Sequence, residues 1–135
     1  MLKALCLCTA VCLATGCSET LQPIDGPMAS VTVYGVVSQP DGTPAPGVSV
    51  LIEARAQVSC ANGQMDRDSV VTDAAGGYRA ALLNWGSQFS VCVALRVAPD
   101  AASGFALDSV QRAPVVMRAA NPDSVRVDMQ LRPSA

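Results

Sequence analysis

The stretch FSVCVALRV, residues 89–97, decides the fold, because apolar side chains recur at every second position along it. The residues expected on one face are Phe89, Val91, Val93, Leu95 and Val97, and those on the other are Ser90, Cys92, Ala94 and Arg96. Successive side chains of a β-strand point to opposite faces of the sheet. The alternation therefore predicts a strand with its valine face in a core.

The same period of two recurs on both sides of this stretch. Strands are expected at residues 31–37, 48–54, 78–82 and 125–131, with a short one at 69–72 and less regular ones at 105–112 and 115–118. Proline, glycine and aspartate between them predict turns or loops at residues 39–47, 73–77, 84–87 and 99–104. No segment beyond the N-terminal run has a helical period. Short strands at this spacing predict an all-β, antiparallel sandwich of about seven strands.

The N-terminus has the parts of an export signal. Lys3 precedes an apolar run, residues 4–14, and a small residue precedes Cys17. The run is about half of the roughly 20 residues that a membrane-spanning helix needs. The segment LATGC, residues 13–17, resembles the lipobox of bacterial lipoproteins, in which the thiol takes a diacylglycerol and the chain is cut just before it. A plain secretory signal is the alternative, because Ala14 stands where the lipobox more often has leucine.

Lipidation of Cys17 fixes an expected domain organisation. Residues 1–16 form the signal peptide, residues 17–29 a lipidated tether and residues 30–135 the domain. Two acyl chains hold a protein stably on a membrane, whereas one binds only marginally. We therefore expect a lipid-anchored protein of the cell envelope. Ser18 stands where an aspartate would resemble an inner-membrane retention signal, so the outer membrane is the expected location.

Length and charge limit the number of domains and the kinds of partner. Removing residues 1–16 of 135 leaves 119, the size of one domain. The mature chain has eight arginines against eleven acidic residues, a formal charge of −3. This balance gives nucleic-acid binding no electrostatic basis. We expect a monomer whose partners are the membrane and an envelope protein or a glycan.

The six cysteines divide into two groups. Three leave with the signal peptide, and Cys17 would be thioether-linked. Cys60 and Cys92 remain in a compartment where disulfides persist, so a bridge between them is expected. Two free thiols are the alternative, since sequence does not show that the two backbones approach within the required ~7 Å. Because Cys92 shares a face with Arg96, the bridge is expected to clamp the loop at residues 58–66 across the outside of the sheet.

A set of turn motifs adds a family resemblance. The motifs are GVV (35–37), DGTP (41–44), PGVSV (46–50), TDAAGGY (72–78), and Leu82 followed by Gly86 and Phe89. Together they resemble the carboxypeptidase regulatory-like domain over about residues 31–97. The resemblance implies a seven-stranded, immunoglobulin-like or transthyretin-like sandwich, which here follows an N-terminal signal helix. It also implies a non-catalytic module.

Composition bears on catalysis as well. The chain contains no histidine, so neither a Ser-His-Asp nor a Cys-His nucleophile can be assembled, and the mature chain lacks the lysine of a Ser-Lys variant. No CxxC or HxxxH spacing supports a zinc site. We therefore predict no enzyme, no catalytic residue, no cofactor and no metal. Asp66 and Asp68 with nearby Asn62 could offer oxygen ligands to calcium, but the glycine and distal acid of an EF-hand loop are missing, so a solvated polar loop is the favoured interpretation.

Trp85 is the residue with a case for ligand contact. A lone indole in a turn flanked by glycine can present its flat face to a sugar ring or a protein, or cover the open end of the sandwich. Tyr34 allows the same two interpretations. The expected function is a non-catalytic, lipid-anchored envelope module with a structural or protein-interaction role. The alternative is a carbohydrate-binding or adhesion domain that uses the loops around Trp85 and Cys60.

Overall fold

The computed structural model describes residues 26–56, 60, 63–99, 104–106 and 108–134. Within these ranges the chain is all-β, as the sequence predicts, and no described segment is a helix that could cross a membrane. The expected signal peptide and its helix, the lipid attachment at Cys17 and most of the tether lie outside the described residues.

The described part of the chain contains ten strand segments. They are β1 (Met28–Ser38), β2 (Ser49–Ala56), β3 (Gln64–Val71), β4 (Gly77–Trp85), β5 (Gln88–Ala98), β6 (Phe105–Ala106), β7 (Asp108–Arg118), β8 (Asp123–Arg126), β9 (Met129–Gln130) and β10 (Arg132–Pro133). β6 and β10 form a small separate pair.

The main strands form two layers that pack face to face. One layer has the order β3-β2-β5-β7, antiparallel throughout. In the other layer β4 pairs antiparallel with one edge of β1, and the opposite edge of β1 pairs in parallel with β8 and β9. The layers meet where Ser30 of β1 pairs with Arg118 of β7. The predicted sandwich is confirmed. β8 and β9 pair in parallel with β1, and an alternating sequence pattern does not distinguish parallel from antiparallel pairing.

A single apolar core lies between the layers. It is built mainly from valines at alternate positions, which suits the pleated surface of a sheet. The largest fully buried side chains are Ile52, Leu82, Leu95, Met117, Val31, Val33, Val37, Val50, Val91, Val93, Val97 and Val127. Burying each such side chain contributes about 1.5–3 kcal/mol of transfer free energy. The valine face of residues 89–97 and three valines of β1, Val31, Val33 and Val37, enter this core as predicted.

Three element boundaries differ from the predicted ones. β3 begins at Gln64 instead of 69, because its mostly polar first half is an edge segment that pairs with β2 and contributes only Met65 to the side of the core. Trp85 belongs to the end of β4 and not to the turn. The segments expected at 105–112 and 115–118 are largely one strand, β7, which continues through Pro114. Pro114 lies where the β5–β7 register shifts, a bulge position that needs no ladder N–H group.

Thr72 ties the loop before β2 to the end of β3. Its hydroxyl donates to the carbonyl oxygen of Ala45 at 2.7 Å and accepts from the N–H of Val48 at 2.9 Å. Thr72 is the one buried polar residue of the described chain, only 5% exposed. The loop at residues 39–47 is thereby held against the sheet edge next to the groove described below.

Candidate functional site

A groove of about 610 Å³ runs along the side of the sandwich where the edge strands β3 and β4 approach each other. Its lining residues are Tyr34, Gly35, Val70, Val71, Asp73, Gly77, Tyr78 and Arg79. The groove is wide and opens to solvent. It combines an apolar wall, two phenols, a carboxylate and a guanidinium, the mixture typical of small-molecule sites.

Register places Tyr34 and Arg79 side by side. The two residues are direct partners in the antiparallel β1–β4 pair, so their side chains leave the same face of the sheet. On its other side Tyr34 is the register partner of Arg126 in β8. Arg126 forms an ion pair with Asp128 at 3.1 Å, whereas Arg79 has no ion-pair partner within the described ranges. Arg79 is exposed, and its guanidinium is therefore the cation of this groove available to a ligand.

The strand β3 contributes two valines, Val70 and Val71, to the lining of the groove. Val71 is 66% exposed, the most exposed of the large apolar side chains in the described residues. Val70 next to it packs partly against the core. An exposed valine beside a phenol gives the groove a surface that a flat ring can cover with a gain of buried apolar area.

Asp73 is held by its own turn and is not free to turn into the groove. Its Oδ1 accepts hydrogen bonds from the N–H groups of Ala75 and Gly77, both at 2.8 Å. Gly76 in this turn has a φ of +74°, and a Cβ there would lie 2.4 Å from the carbonyl oxygen of Val37. The predicted turn at residues 73–77 is confirmed, and its carboxylate serves the backbone.

The floor of the groove is Tyr78, which points inward and is only 6% exposed. Its hydroxyl donates to the carbonyl oxygen of Val127. Burial is the main cause that raises the pKa of Tyr78 above its ordinary value, and the carboxylate of Asp128 adds to it. Gly35 lies beneath the ring, where a Cβ would come 1.9 Å from that same carbonyl oxygen. This phenol stays neutral and structural.

Cys60 and Cys92 lie together in the structure and are joined as a disulfide, with their Cα atoms 5.1 Å apart. Both are buried, yet neither belongs to the apolar core cluster between the layers. Cys92 lies between Val91 and Val93 of β5, opposite the bulge that Ala113 and Pro114 form in β7. Nε and one terminal nitrogen of Arg55 donate to a carboxylate oxygen of Glu53, and its other terminal nitrogen donates to the carbonyl oxygen of Cys60 at 3.3 Å. Of the loop that the bridge was expected to clamp, residues 58, 59, 61 and 62 lie outside the described ranges.

The oxygen donors considered for calcium do not gather around one point. Oδ1 and Oδ2 of Asp66 accept from the N–H groups of Arg67 and Leu83, and Asp68 accepts from the N–H of Ser69. Asn62 is outside the described residues. Among the residues that the structure does describe, no three histidine, cysteine or acidic side chains are placed to hold a metal ion.

Trp85 lies far from the groove, at the opposite end of β4 from Gly77. Its side chain is 49% exposed and is the register partner of Met28. The sequence does not predict the groove, because the groove depends on the pairing of β1 with β4 and on the approach of β3. Both are contacts between segments that are distant in the sequence. The one available signal was Tyr34, an aromatic residue in a strand otherwise built from small side chains.

No family model matches the chain, and no curated protein sequence matches it. The resemblance to the carboxypeptidase regulatory-like domain therefore stays a prediction. Solved structures do share the fold. Catechol 1,2-dioxygenase from Acinetobacter sp. ADP1 aligns with a TM-score of 0.53 and 13% identity, over 84% of this chain and 55% of the enzyme. Chlorocatechol 1,2-dioxygenase from Pseudomonas putida gives 0.53 and 11%, over 78% and 61%.

A third similar structure is hydroxyquinol 1,2-dioxygenase from Pseudomonas putida DLL-E4, with a TM-score of 0.52 and 9% identity over 82% of this chain and 58% of the enzyme. The chain thus spans little more than half the length of these enzymes. Identities this low show a shared fold alone.

These neighbours correct the functional expectation. A non-catalytic module with a structural or protein-interaction role was wrong, and so was its alternative, a carbohydrate-binding or adhesion domain using the loops around Trp85. The similar structures named above are catechol, chlorocatechol and hydroxyquinol 1,2-dioxygenases. The expectation arose because the turn motifs pointed to an accessory module, and the same sandwich occurs with and without catalysis.

Proposed function

We propose that the groove between β3 and β4 binds a small aromatic diol, the class of compound on which its structural neighbours act, in a protein that a lipid on Cys17 holds at the cell envelope. The observation that supports this most is the Tyr34–Arg79 pair, which lines the groove together with the exposed side chain of Val71.

The chemistry of the groove suits such a ligand. Arg79 offers several N–H donors in a fixed plane, and phenolic oxygens accept them. Its guanidinium also attracts the face of an aromatic ring, an interaction of about 0.5–1 kcal/mol at exposed sites. Tyr34 and Val71 present apolar surface on either side. The volume of about 610 Å³ is in the range of small-molecule sites and accommodates a single ring with room for substituents.

Only binding is proposed for this groove. The sequence contains no histidine, and the described side chains form no group able to hold a metal ion.

Calorimetric titration of the full chain with catechol, and separately with hydroxyquinol, tests the proposal. We expect saturable binding by the wild type, weakened about tenfold in Arg79→Gln through loss of a charged hydrogen-bond donor worth about 1.4 kcal/mol. Arg96→Gln is the matched control, because Arg96 is exposed on the outer face of the other layer. Absence of binding by the wild type, or equal affinity in Arg79→Gln and wild type, overturns the proposal.

A further inference from the structure

An exposed apolar patch lies at the end of the domain opposite the groove. It consists of Met28, Leu83 and Trp85, which are 39%, 45% and 49% exposed. Met28 is the register partner of Trp85, and Ser30 is the partner of Leu83, so all three apolar side chains leave the outer face of the β1–β4 pair. They account for three of the four large apolar residues that the described chain exposes.

The chain leading to Cys17 joins the domain at this patch. Gly86 donates its N–H to the carbonyl oxygen of Pro27 at 2.7 Å, which fixes the beginning of β1 beside the end of β4. A Cβ built on Gly26 would lie 3.9 Å from Cε3 of Trp85. Nine residue steps separate Gly26 from Cys17, and an extended chain spans at most about 3.6 Å per residue. The patch is thus held within about 30 Å of that cysteine.

The charges on this face also suit a lipid surface. The outward register positions of the β1–β4 pair carry no acidic residue, and their one charged residue is Arg79 at the far end. These positions are Met28, Ser30, Thr32, Tyr34, Arg79, Ala81, Leu83 and Trp85. The nearby carboxylate of Asp66 lies at the free edge of β4, where the N–H groups of Leu83 and Arg67 occupy its two oxygens.

We infer that Met28, Leu83 and Trp85 rest in the interfacial region of the bilayer and orient the domain, with the groove at its far side facing away from the membrane. The inference depends on the anchoring at Cys17 that forms part of the proposed function. Indole rings favour the membrane–water interface, because one part of the ring is apolar and the N–H can reach water or headgroups. A tether that is short and joins the domain beside the indole brings the patch to the surface at little cost in chain entropy.

Trp85 is the single tryptophan of the chain and therefore reports on its own surroundings. The protein, exported and processed by a bacterial host, is reconstituted in vesicles of phosphatidylethanolamine and phosphatidylglycerol, with or without lipids brominated near the headgroup. We expect blue-shifted emission that is about twofold lower with brominated lipid, as for an indole in the interface. Replacing both Met28 and Leu83 by serine should reverse most of this quenching. Leu51→Ser, at an outward position of the other layer, is the matched control and should leave it unchanged.

Flotation of the same vesicles distinguishes anchoring at Cys17 from contact of the apolar patch with the bilayer. Protein that floats with unquenched Trp85 overturns the membrane contact and leaves the anchor in place. Protein that does not float overturns the anchor and, with it, the orientation. Equal quenching in wild type and in the Met28→Ser/Leu83→Ser variant also contradicts the contact. Circular dichroism checks that the variants keep their strands.

Discussion

The hydroxyl of Tyr78, on β4, donates a 2.5 Å hydrogen bond to the carbonyl oxygen of Val127, which follows β8. This bond joins two segments that both pair with β1, one on each edge. Val127 is almost fully buried, so no water takes over if the hydroxyl is removed. The N–H of Val127 donates to the carbonyl oxygen of Tyr34 at 2.8 Å. Val127 is thus held through both its N–H and its carbonyl group.

Tyr78→Phe should lower the free energy of unfolding by about 1–3 kcal/mol, because it leaves a buried carbonyl oxygen without a donor. Urea unfolding followed by circular dichroism measures the change. Tyr34→Phe is the control, since the phenol of Tyr34 is partly exposed and its removal leaves no buried group without a hydrogen-bond partner. Equal stability of Tyr78→Phe and wild type would contradict the structural role of this bond.

The same phenol predicts a pH dependence. Burial raises the pKa of Tyr78 above its ordinary value near 10. The folded state therefore favours the neutral phenol, so this contribution to stability is complete below about pH 10 and is lost as the pH rises towards the folded-state pKa. We expect the wild type to lose stability above about pH 10 more steeply than Tyr78→Phe. Parallel declines in urea titrations at increasing pH would exclude Tyr78 as the titrating group.

Thr72→Val should lower the free energy of unfolding by about 1–3 kcal/mol, since both the N–H of Val48 and the carbonyl oxygen of Ala45 lose a partner in a buried place. Thr72→Ser keeps the hydroxyl and should lose less, about 1 kcal/mol for the missing methyl group. Thermal unfolding of the three proteins provides the comparison. A valine variant as stable as the serine variant would show that the hydroxyl contributes little.

Gly35→Ala should destabilise the domain by about 3 kcal/mol or more. The new methyl group would lie 1.9 Å from the carbonyl oxygen of Val127, so the segment after β8 must move away from β1. Gly42→Ala is the informative control. Its Cβ would meet nothing within 4 Å, and the cost there is limited to a φ of +85°, about 1–2 kcal/mol. Chemical unfolding should give Gly42→Ala a higher free energy of unfolding than Gly35→Ala. The reverse order would contradict the close approach of Val127 to Gly35.

Replacing Cys60 and Cys92 together by alanine should cost about 3–4 kcal/mol, because a bridge across a separation of 32 residues restricts the unfolded chain. Non-reducing mass mapping of exported protein should find the two cysteine peptides joined. Cys17→Ser serves as a separate variant: it should abolish incorporation of labelled fatty acid while leaving the bridge intact. Labelling equal to the wild type would remove the anchor.

The sequence predicts the layers well and their edges poorly. The valines of β1 and of residues 89–97 alternate strictly because one face of each strand lies in the core, so period alone identifies them. Residues 64–68 are polar and pair only along one edge, so nothing in their pattern distinguishes them from a loop. The sequence predicts two segments at 105–112 and 115–118, and only the bulge at Ala113 and Pro114, opposite Cys92, explains why β7 continues through them.

The groove could not be predicted for a different reason. Tyr34 and Arg79 are 45 positions apart in sequence, and their contact follows from a register that also requires Gly35 to face Tyr78. Such a register is set by the whole core and not by either segment. The sequence leaves two interpretations for Trp85, ligand contact or covering the end of the sandwich, and its neighbour Met28 is identified only through the same pairing.

The two ends of the described chain meet on one strand. β1 is completed along its second edge mainly by residues 123–130, which are synthesised after β1 to β7. Until they arrive, a row of unpaired amide and carbonyl groups on the first strand is open to other chains, and such edges are templates for aggregation. Contacts of this sequence separation also form slowly. Nascent or truncated forms of this chain should therefore depend on holding chaperones far more than the finished protein does.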